Sequence, residues 1–386
     1  MQIDSVACHR ETKGQGAGDA VHVAGSAGRC RVLFLIPSLA GGGAERAMVT
    51  LLRHMDRRRF ELMLGVLDMN RAVYRDLVPQ DVPVVDMGSA RARQAVRSIV
   101  KLAWSSRPHV IVSTLSHLNL LLAVIKPLLP PASRVIGRES TIVSANLATY
   151  RLSSLWRLSY RVFYRQLDCV ISQSYAARDD LLKGYSLSAR KITVIQNPVD
   201  ITHVRRLMSH EVPLDYPDKS KVEIIAAGRL AAEKGFDLLI EAMALCGDLP
   251  VRLTILGEGP LENMLRKLVQ ERGLTGRVQL VGFQKNPFAW FARADIFVLS
   301  SRFEGFPNVV LEALACGTPV IATPAPGGTR EILEPIPQSE VVASISVESI
   351  ADAPRTTTLA LTCRSCFVRR SKYCTPLAGP LPGGGR

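Results

Sequence analysis

Short unbroken apolar runs alternate along this chain with longer stretches in which apolar residues recur every three or four positions. The first run is Val32-Leu33-Phe34-Leu35-Ile36. An apolar stretch of that length, stopped by a turn, is the signature of a strand covered on both faces in a parallel sheet. Pro37 ends it and Gly41-Gly42-Gly43 follow. Residues 44–55 then read as a helix with Ala47, Met48, Leu51 and Leu52 along one face. Strand, glycine turn and helix form half of a βαβ unit. The strand pattern returns at 62–67, 82–85, 110–113, 135–136, 169–172 and 192–195, with helical spacing between several of them. These elements predict a doubly wound α/β domain over residues 30–200.

A polar stretch over 201–220 reads as a linker, and a second series begins directly after it. Strands are expected at 222–226, 251–256, 278–281, 296–299 and 320–322, and helices at 237–245, up to 270, and at 309–315. Glycine turns stand at Gly228 and at Gly257-Glu258-Gly259. The prediction is therefore two Rossmann-like α/β domains, 30–200 and 221–338, facing a central cleft at their strand C-terminal ends, where such sheets bind ligands. Residues 1–29 read as a disordered leader, or as sequence ahead of the true start. From 339 to 386 the pattern changes to Thr356-Thr357-Thr358, three cysteines and a Pro/Gly-rich close, and predicts an atypical tail from a shifted or truncated reading frame.

Composition narrows the field. A chain of 386 residues, 47% hydrophobic, can bury substantial cores and is neither disordered throughout nor a disulfide-stapled miniprotein. Residues 91–206 carry 18 Lys/Arg against 5 Asp/Glu, whereas 211–340 carry 13 against 17. The first half is thus the one that suits an anionic partner. Two basic helices, 91–104 and 147–167, are candidates for docking on an anionic membrane. The second mixes Tyr150, Leu155, Trp156, Tyr160, Phe163 and Tyr164 with Arg151, Arg157, Arg161 and Arg165. The alternative is a surface helix that packs those aromatics inward. No apolar stretch reaches the 18 residues expected of a membrane span. The cysteines read as reduced thiols, with no metal-ligand set, and no secretory signal is visible, so a cytoplasmic protein is expected.

The strongest local signal runs from Ser301 to Glu312, between a strand and a helix. Gly305 and Pro307 shape the turn, and the free N–H groups of Asn308, Val309 and Val310 suit a phosphate. Glu304 and Glu312 sit in the loop and one turn into the helix, placed for different parts of one long ligand; each also fits an ordinary solvated or helix-start carboxylate. Arg229 and Lys234 flank the second domain's first glycine turn. A cation pair there stabilises a departing diphosphate, or else it pairs with Glu233 or Asp237. Gly41-Gly42-Gly43, with Glu45 and Arg46, forms the matching turn of the first domain, and allows close backbone approach to a phosphate or hexose. His117 follows a strand at the rim of the first sheet. Arg138 and Glu139 follow another and are candidate acceptor contacts, and Asn197 closes a strand just before the linker.

With those residues in place, residues 30–335 resemble the retaining glycosyltransferases of family 4, which have the two-Rossmann-domain (GT-B) architecture. The resemblance rests on Gly228-Arg229-Leu230 with Lys234-Gly235, on Gly257-Glu258-Gly259-Pro260, and on Glu304 and Glu312 separated by seven residues. Gly317-Thr318-Pro319-Val320 and Gly327-Gly328-Thr329-Arg330-Glu331 add to it. It implies a nucleotide-diphosphate-sugar donor bound mainly to the second domain. Arg229 and Lys234 would hold the diphosphate, Glu312 the ribose, Glu304 the hexose, and the backbone of Phe306, Pro307, Asn308 and Val309 the phosphate and sugar. Glu258 would lie near the nucleoside, Gly42 and Gly43 on the far side of the diphosphate, and His117 by the transferred hexose. The implied reaction retains the anomeric configuration without a protein nucleophile, a metal or a cofactor. Ser113 to Asn119 and 137–140 resemble members that extend bacterial surface or capsular polysaccharide. A glycan or polyprenyl-diphosphate-linked acceptor at the inner face of the cell membrane is the expectation. A nucleotide-sugar epimerase of the same architecture and a nonenzymatic basic adaptor remain as alternatives; nucleic acid is not an expected partner, since no recognition motif is present.

Overall fold

A computed structural model describes residues 28–212, 221–337 and 339–352. The expected leader up to residue 27 and the tail from residue 353 lie outside the described residues. Two parallel sheets organise the chain. The first is built from β1 (Cys30–Ser38), β2 (Phe60–Asp68), β3 (Val84–Asp86), β4 (Val110–Thr114), β5 (Arg134–Arg138), β6 (Cys169–Ser172) and β7 (Ile192–Val194), in the order β3-β2-β1-β4-β5-β6-β7. The second contains β8 (Val222–Ala227), β9 (Val251–Leu256), β10 (Val278–Leu280), β11 (Ile296–Leu299), β12 (Val320–Ala322) and β13 (Glu340–Val341), in the order β10-β9-β8-β11-β12-β13. The fold is two Rossmann-like α/β domains facing a cleft.

The apolar runs explain this layering. In β1 alternate side chains enter opposite cores: Val32, Phe34 and Ile36 pack on one face of the sheet and Leu33 and Leu35 on the other. Strand β8 divides in the same way, with Ile224 and Ala226 on one face and Ile225 and Ala227 on the other. A strand buried on both sides has no polar alternation to show, which is why unbroken runs mark it. Each sheet also reverses its winding once, between β1 and β4 and between β8 and β11. Crevices at such reversals are where doubly wound sheets hold ligands. The Gly41–Gly43 turn follows β1 and His117 follows β4, while Arg229 follows β8 and Ser301 follows β11. Both sets of candidate residues therefore flank a reversal.

Three segments differ from the sequence expectation. Ile201–Leu207, inside the expected linker, is a helix. Asp200 caps it by accepting a hydrogen bond from the His203 amide at 2.9 Å, and Val204 is buried in the second domain's core. Seven residues, about two turns, with Val204 buried and Leu207 half-buried against that core, are too short a pattern to stand out among polar residues. The atypical tail also begins later than residue 339: β13 pairs with β12, and Val342, Ile350 and Ala351 pack into the second domain. Finally, the basic aromatic segment 147–167 contains the helix Ser153–Phe163, and it turns Tyr160 and Tyr164 inward, to 1% and 0% exposure. Leu152, Leu155, Leu158 and Val162 are instead the exposed apolar residues, at 51–63%. Among the described residues no helix is long and apolar enough to cross a membrane.

Candidate active site

In the second domain, glycine packing brings the strand ends together. Gly257, at φ +137°, lies so close to the Gly228 carbonyl that a Cβ would sit 1.9 Å from it. The turns after β8 and β9 therefore stack backbone on backbone, joined by Leu230 N–H donating to the Glu258 carbonyl at 2.9 Å. Arg229 is exposed at this edge, its guanidinium with no hydrogen bond or ion pair among the described residues, and Glu258 is exposed beside it. Lys234 turns inward. Its Nζ lies 2.6 Å from Glu304 Oε1, which also accepts from Ser301 Oγ at 2.6 Å. Asp237 pairs with Arg302 instead, at 2.6 Å. Neither carboxylate proposed from sequence as a local partner holds Lys234: the pair it forms is with the residue assigned to the same ligand.

The loop from Ser301 leads to the helix Asn308–Ala315, whose N-terminal residue position is taken by Pro307 with no side-chain cap. The Val310 amide, expected to be free, donates to the Pro307 carbonyl at 3.0 Å, which leaves the Asn308 and Val309 amides at the helix start for a ligand. Phe306 and Pro307 are buried, fixing the helix start; Asn308 and Val309 are half-buried. Glu312 is 5% exposed and faces the first domain, where Arg46 Nη1 donates to its Oε1 at 2.8 Å.

The first domain closes over this edge. The Gly43 carbonyl accepts from Asn308 Nδ2 at 2.7 Å, and a Cβ on Gly41 would lie 2.8 Å from the Phe283 ring. Gly305 meets the Ser140 backbone so closely that a Cβ would be 2.1 Å from its carbonyl oxygen. Asn197 links the two halves, giving Nδ2 to Asn308 Oδ1 at 2.5 Å and to Gln173 Oε1 at 2.9 Å. Further out, Glu331 accepts from the Tyr175 and Ala176 amides at 3.1 and 3.0 Å, so one domain caps a helix of the other. Gly42, Gly43, Lys234, Glu304, Asn308 and Glu312 are thereby gathered along one seam.

The remaining candidates stand behind or beside it. Arg138 is 3% exposed and donates to Thr114 Oγ1 at 3.0 Å and to Asn197 Oδ1. Burial pulls its guanidinium down to about 10, opposed by Glu139 and Glu45. Glu139 is 1% exposed and accepts from Ser116, Asn119 and Tyr164. Burial holds its carboxyl above the usual range, against those three donors. Both residues brace the cleft wall rather than line it. His117, in contrast, is exposed near the start of the helix Ser116–Ile125, and desolvation lowers its imidazole pKa. The preceding Leu115 takes φ +73°, a conformation unusual for a non-glycine residue and one found at functional turns.

Sequence reasoning did not single out Arg46 as a site residue, and missed Tyr74 and Phe283 altogether. Arg46 adjoins the glycine turn at helical spacing, so its signal was present. Tyr74 lies in an irregular stretch, and only the folded chain brings it under Gly41.

Comparison with known proteins agrees with this geometry. Residues 41–203 match the profile of Glycosyltransferase Family 4, and residues 216–356 match that of Glycosyl transferases group 1. The chain is a GT-B glycosyltransferase of the family-4 kind. This separates the glycosyltransferase from the epimerase and the adaptor that its sequence left open. It is 29% identical, over 78% of its length and 82% of the relative's, to the N-acetylgalactosamine-N,N'-diacetylbacillosaminyl-diphospho-undecaprenol 4-alpha-N-acetylgalactosaminyltransferase of Campylobacter jejuni. A lipopolysaccharide core biosynthesis glycosyltransferase of Rhizobium meliloti is 34% identical over 58% of this chain and 66% of that one. The fold matches that of Anabaena HepE in complex with UDP-glucose, with a TM-score of 0.68 at 20% identity, covering 86% of this chain and 90% of HepE.

Proposed function

We propose that this glycosyltransferase moves a hexose or N-acetylhexosamine, with retention of configuration, from a nucleotide-diphosphate sugar to a glycan or polyprenyl-diphosphate-linked acceptor in surface polysaccharide biosynthesis. The observation that carries the reading is the Lys234–Glu304 pair beside an uncapped helix start, closed over by the Gly41–Gly43 turn. Arg229 and Lys234 take the diphosphate and Glu304 the hexose hydroxyls. Glu312 takes the ribose, and Glu258 lies by the nucleoside. The backbone from Phe306 to Val309 holds phosphate and sugar, with Gly42 and Gly43 opposite and His117 by the hexose.

The chemistry follows from charge. As the anomeric carbon–oxygen bond to the diphosphate breaks, negative charge grows on the leaving oxygen. Lys234 and the helix start are fixed before reaction and stabilise it without reorganising. The acceptor hydroxyl forms the new bond on the face the diphosphate vacates, and its proton passes to a phosphate oxygen. Glu304 is held by Lys234 and Ser301, an arrangement suited to orienting hydroxyls rather than attacking carbon. Arg138 and Glu139 act on the acceptor side by fixing the wall against which it lies.

The lipid-linked acceptor is supported by the names of the Campylobacter and Rhizobium relatives and by the surface of the first domain. Leu155, Leu158 and Val162 recur at helical spacing on Ser153–Phe163, exposed and flanked by Arg151, Arg157, Arg161 and Arg165, with no acidic residue in 143–167. Apolar side chains that enter lipid between arginines that meet anionic headgroups make an interfacial helix. On this reading the enzyme works peripherally, on the inner face of the cell membrane. The test of function is transfer from a panel of UDP- and GDP-sugars to a polyprenyl-diphosphate-linked glycan, with the product's anomeric configuration read by NMR. Retained configuration and loss of transfer in Lys234→Ala support the reading; an inverted product or acceptor-independent donor turnover overturns it.

A further inference from the structure

Arg46 stands outside the donor-binding set, yet it touches parts of that set's scaffold in both domains. Its Nη1 donates to Glu312 Oε1 at 2.8 Å, across the domain boundary. Its Nε donates to Tyr74 Oη at 3.0 Å, and Tyr74 Oη in turn donates to the Gly41 carbonyl at 2.8 Å. The guanidinium also lies over the Phe288 ring of the second domain, 5.4 Å from its centre. Tyr74 and Glu312 are 2% and 5% exposed, so neither is free to choose another partner in water. This relay lines a cavity of about 50 Å³ between the domains.

From this geometry we infer that Arg46 is the positioning residue for Glu312: it fixes one carboxylate oxygen so that the other is presented to the donor's ribose hydroxyls. Through Tyr74 the same guanidinium holds the glycine turn that meets the diphosphate. The inference rests on the proposed ribose role of Glu312. Its consequence is that the ribose contact exists in full only when the domains are closed, because the group that orients Glu312 belongs to the other domain. A planar guanidinium with fixed donors suits this task, and a lysine, with one point charge, cannot hold Glu312 and Tyr74 at once.

The test measures ribose recognition rather than activity alone. Calorimetry on the full chain compares UDP or GDP, whichever the wild type binds more tightly, with its 2′-deoxy counterpart. A site built to bond a hydroxyl discriminates strongly against the analogue that lacks it. The wild type should prefer the ribonucleotide by about tenfold or more, since charge-assisted hydrogen bonds contribute about 1.5–3 kcal/mol. Glu312→Gln should lower that preference several-fold, Arg46→Ala should lower it to within about threefold of unity, and Arg46→Lys should restore only part of it. Tyr74→Phe keeps the ion pair and loses the anchor, so it should weaken the preference without abolishing it; it serves if Arg46→Ala does not fold. A Glu312→Gln variant that discriminates like the wild type would remove the ribose reading itself. If Glu312→Gln loses discrimination while Arg46→Ala and Tyr74→Phe keep it, the ribose role stands and the positioning role of Arg46 is wrong.

Discussion

Replacing Gly305 with alanine puts one methyl group into the seam between the domains. The new Cβ would lie 2.1 Å from the Ser140 carbonyl oxygen, 2.5 Å from its carbonyl carbon and 2.8 Å from the Thr141 Cα. All three are backbone atoms of the other domain, so no side chain can swing aside. Contacts shorter than 3.0 Å are essentially never seen for a real Cβ, so the seam must widen by roughly 1 Å. Overpacking of this kind destabilises by about 1–3 kcal/mol, here charged to the closed arrangement and not to either domain's core. Reacting groups misplaced by about 1 Å can lose about a hundredfold in rate. Gly305→Ala should therefore lower kcat/KM by about two orders of magnitude with little change in Tm. Gly276→Ala is the control, because a Cβ there meets nothing within 4 Å. Steady-state kinetics and thermal melts on both variants provide the measurement. Wild-type kcat/KM in Gly305→Ala would refute the closed seam as the reactive arrangement.

Other expectations concern single contacts. Lys234→Ala removes the cation held 2.6 Å from Glu304 and should reduce kcat by about 10²–10³, the loss typical of one preorganised donor to a developing negative charge. Glu331→Ala leaves the Ser174 cap of the Tyr175–Tyr185 helix in place but removes the carboxylate that accepts from its first two amides; it should cost about 0.5–2 kcal/mol, read as faster hydrogen exchange at the Tyr175 and Ala176 amides. Burial raises the Glu139 carboxyl above its ordinary 4.5, so the folded state keeps a proton that the unfolded chain has already released. Its contribution to stability is then greatest below that ordinary value and declines as pH rises toward the raised one; Glu139→Gln should flatten this part of a Tm–pH profile. Leu155→Glu with Leu158→Glu should abolish co-sedimentation with phosphatidylglycerol vesicles and leave donor binding unchanged. Equal binding of the wild type to neutral vesicles would contradict the part given to the arginines.

Several strands of largely apolar sequence were legible almost to the residue: 169–172, 251–256, 296–299 and 320–322 coincide with β6, β9, β11 and β12. Burial on both faces imposes that apolar character, but residues 120–125 are as apolar and lie in a buried helix, so the run alone does not separate the two. What depends on a third dimension was not legible. The segment 147–167 offered both aromatic and aliphatic residues at helical spacing, and only packing decides that Tyr160 and Tyr164 go inward while Leu155 and Leu158 stay out. Arg138 and Glu139 stand at a strand end, as acceptor contacts should, but Asn119, Tyr164 and Asn197 arrive from distant positions and cover them. Near neighbours in sequence offer Lys234 two carboxylates, Glu233 and Asp237, whereas its partner in the fold lies 70 residues away.

The central claim is that Lys234, Glu304 and the start of the helix at Asn308 hold the diphosphate and sugar of a nucleotide-sugar donor. A crystal structure of the chain with an intact, slowly turned over donor tests it most directly. The account predicts the diphosphate within hydrogen-bonding distance of Lys234 Nζ and the amides that open Asn308–Ala315, with the hexose at Glu304. A donor bound with its diphosphate away from Lys234, or seated entirely on the first domain, would contradict it.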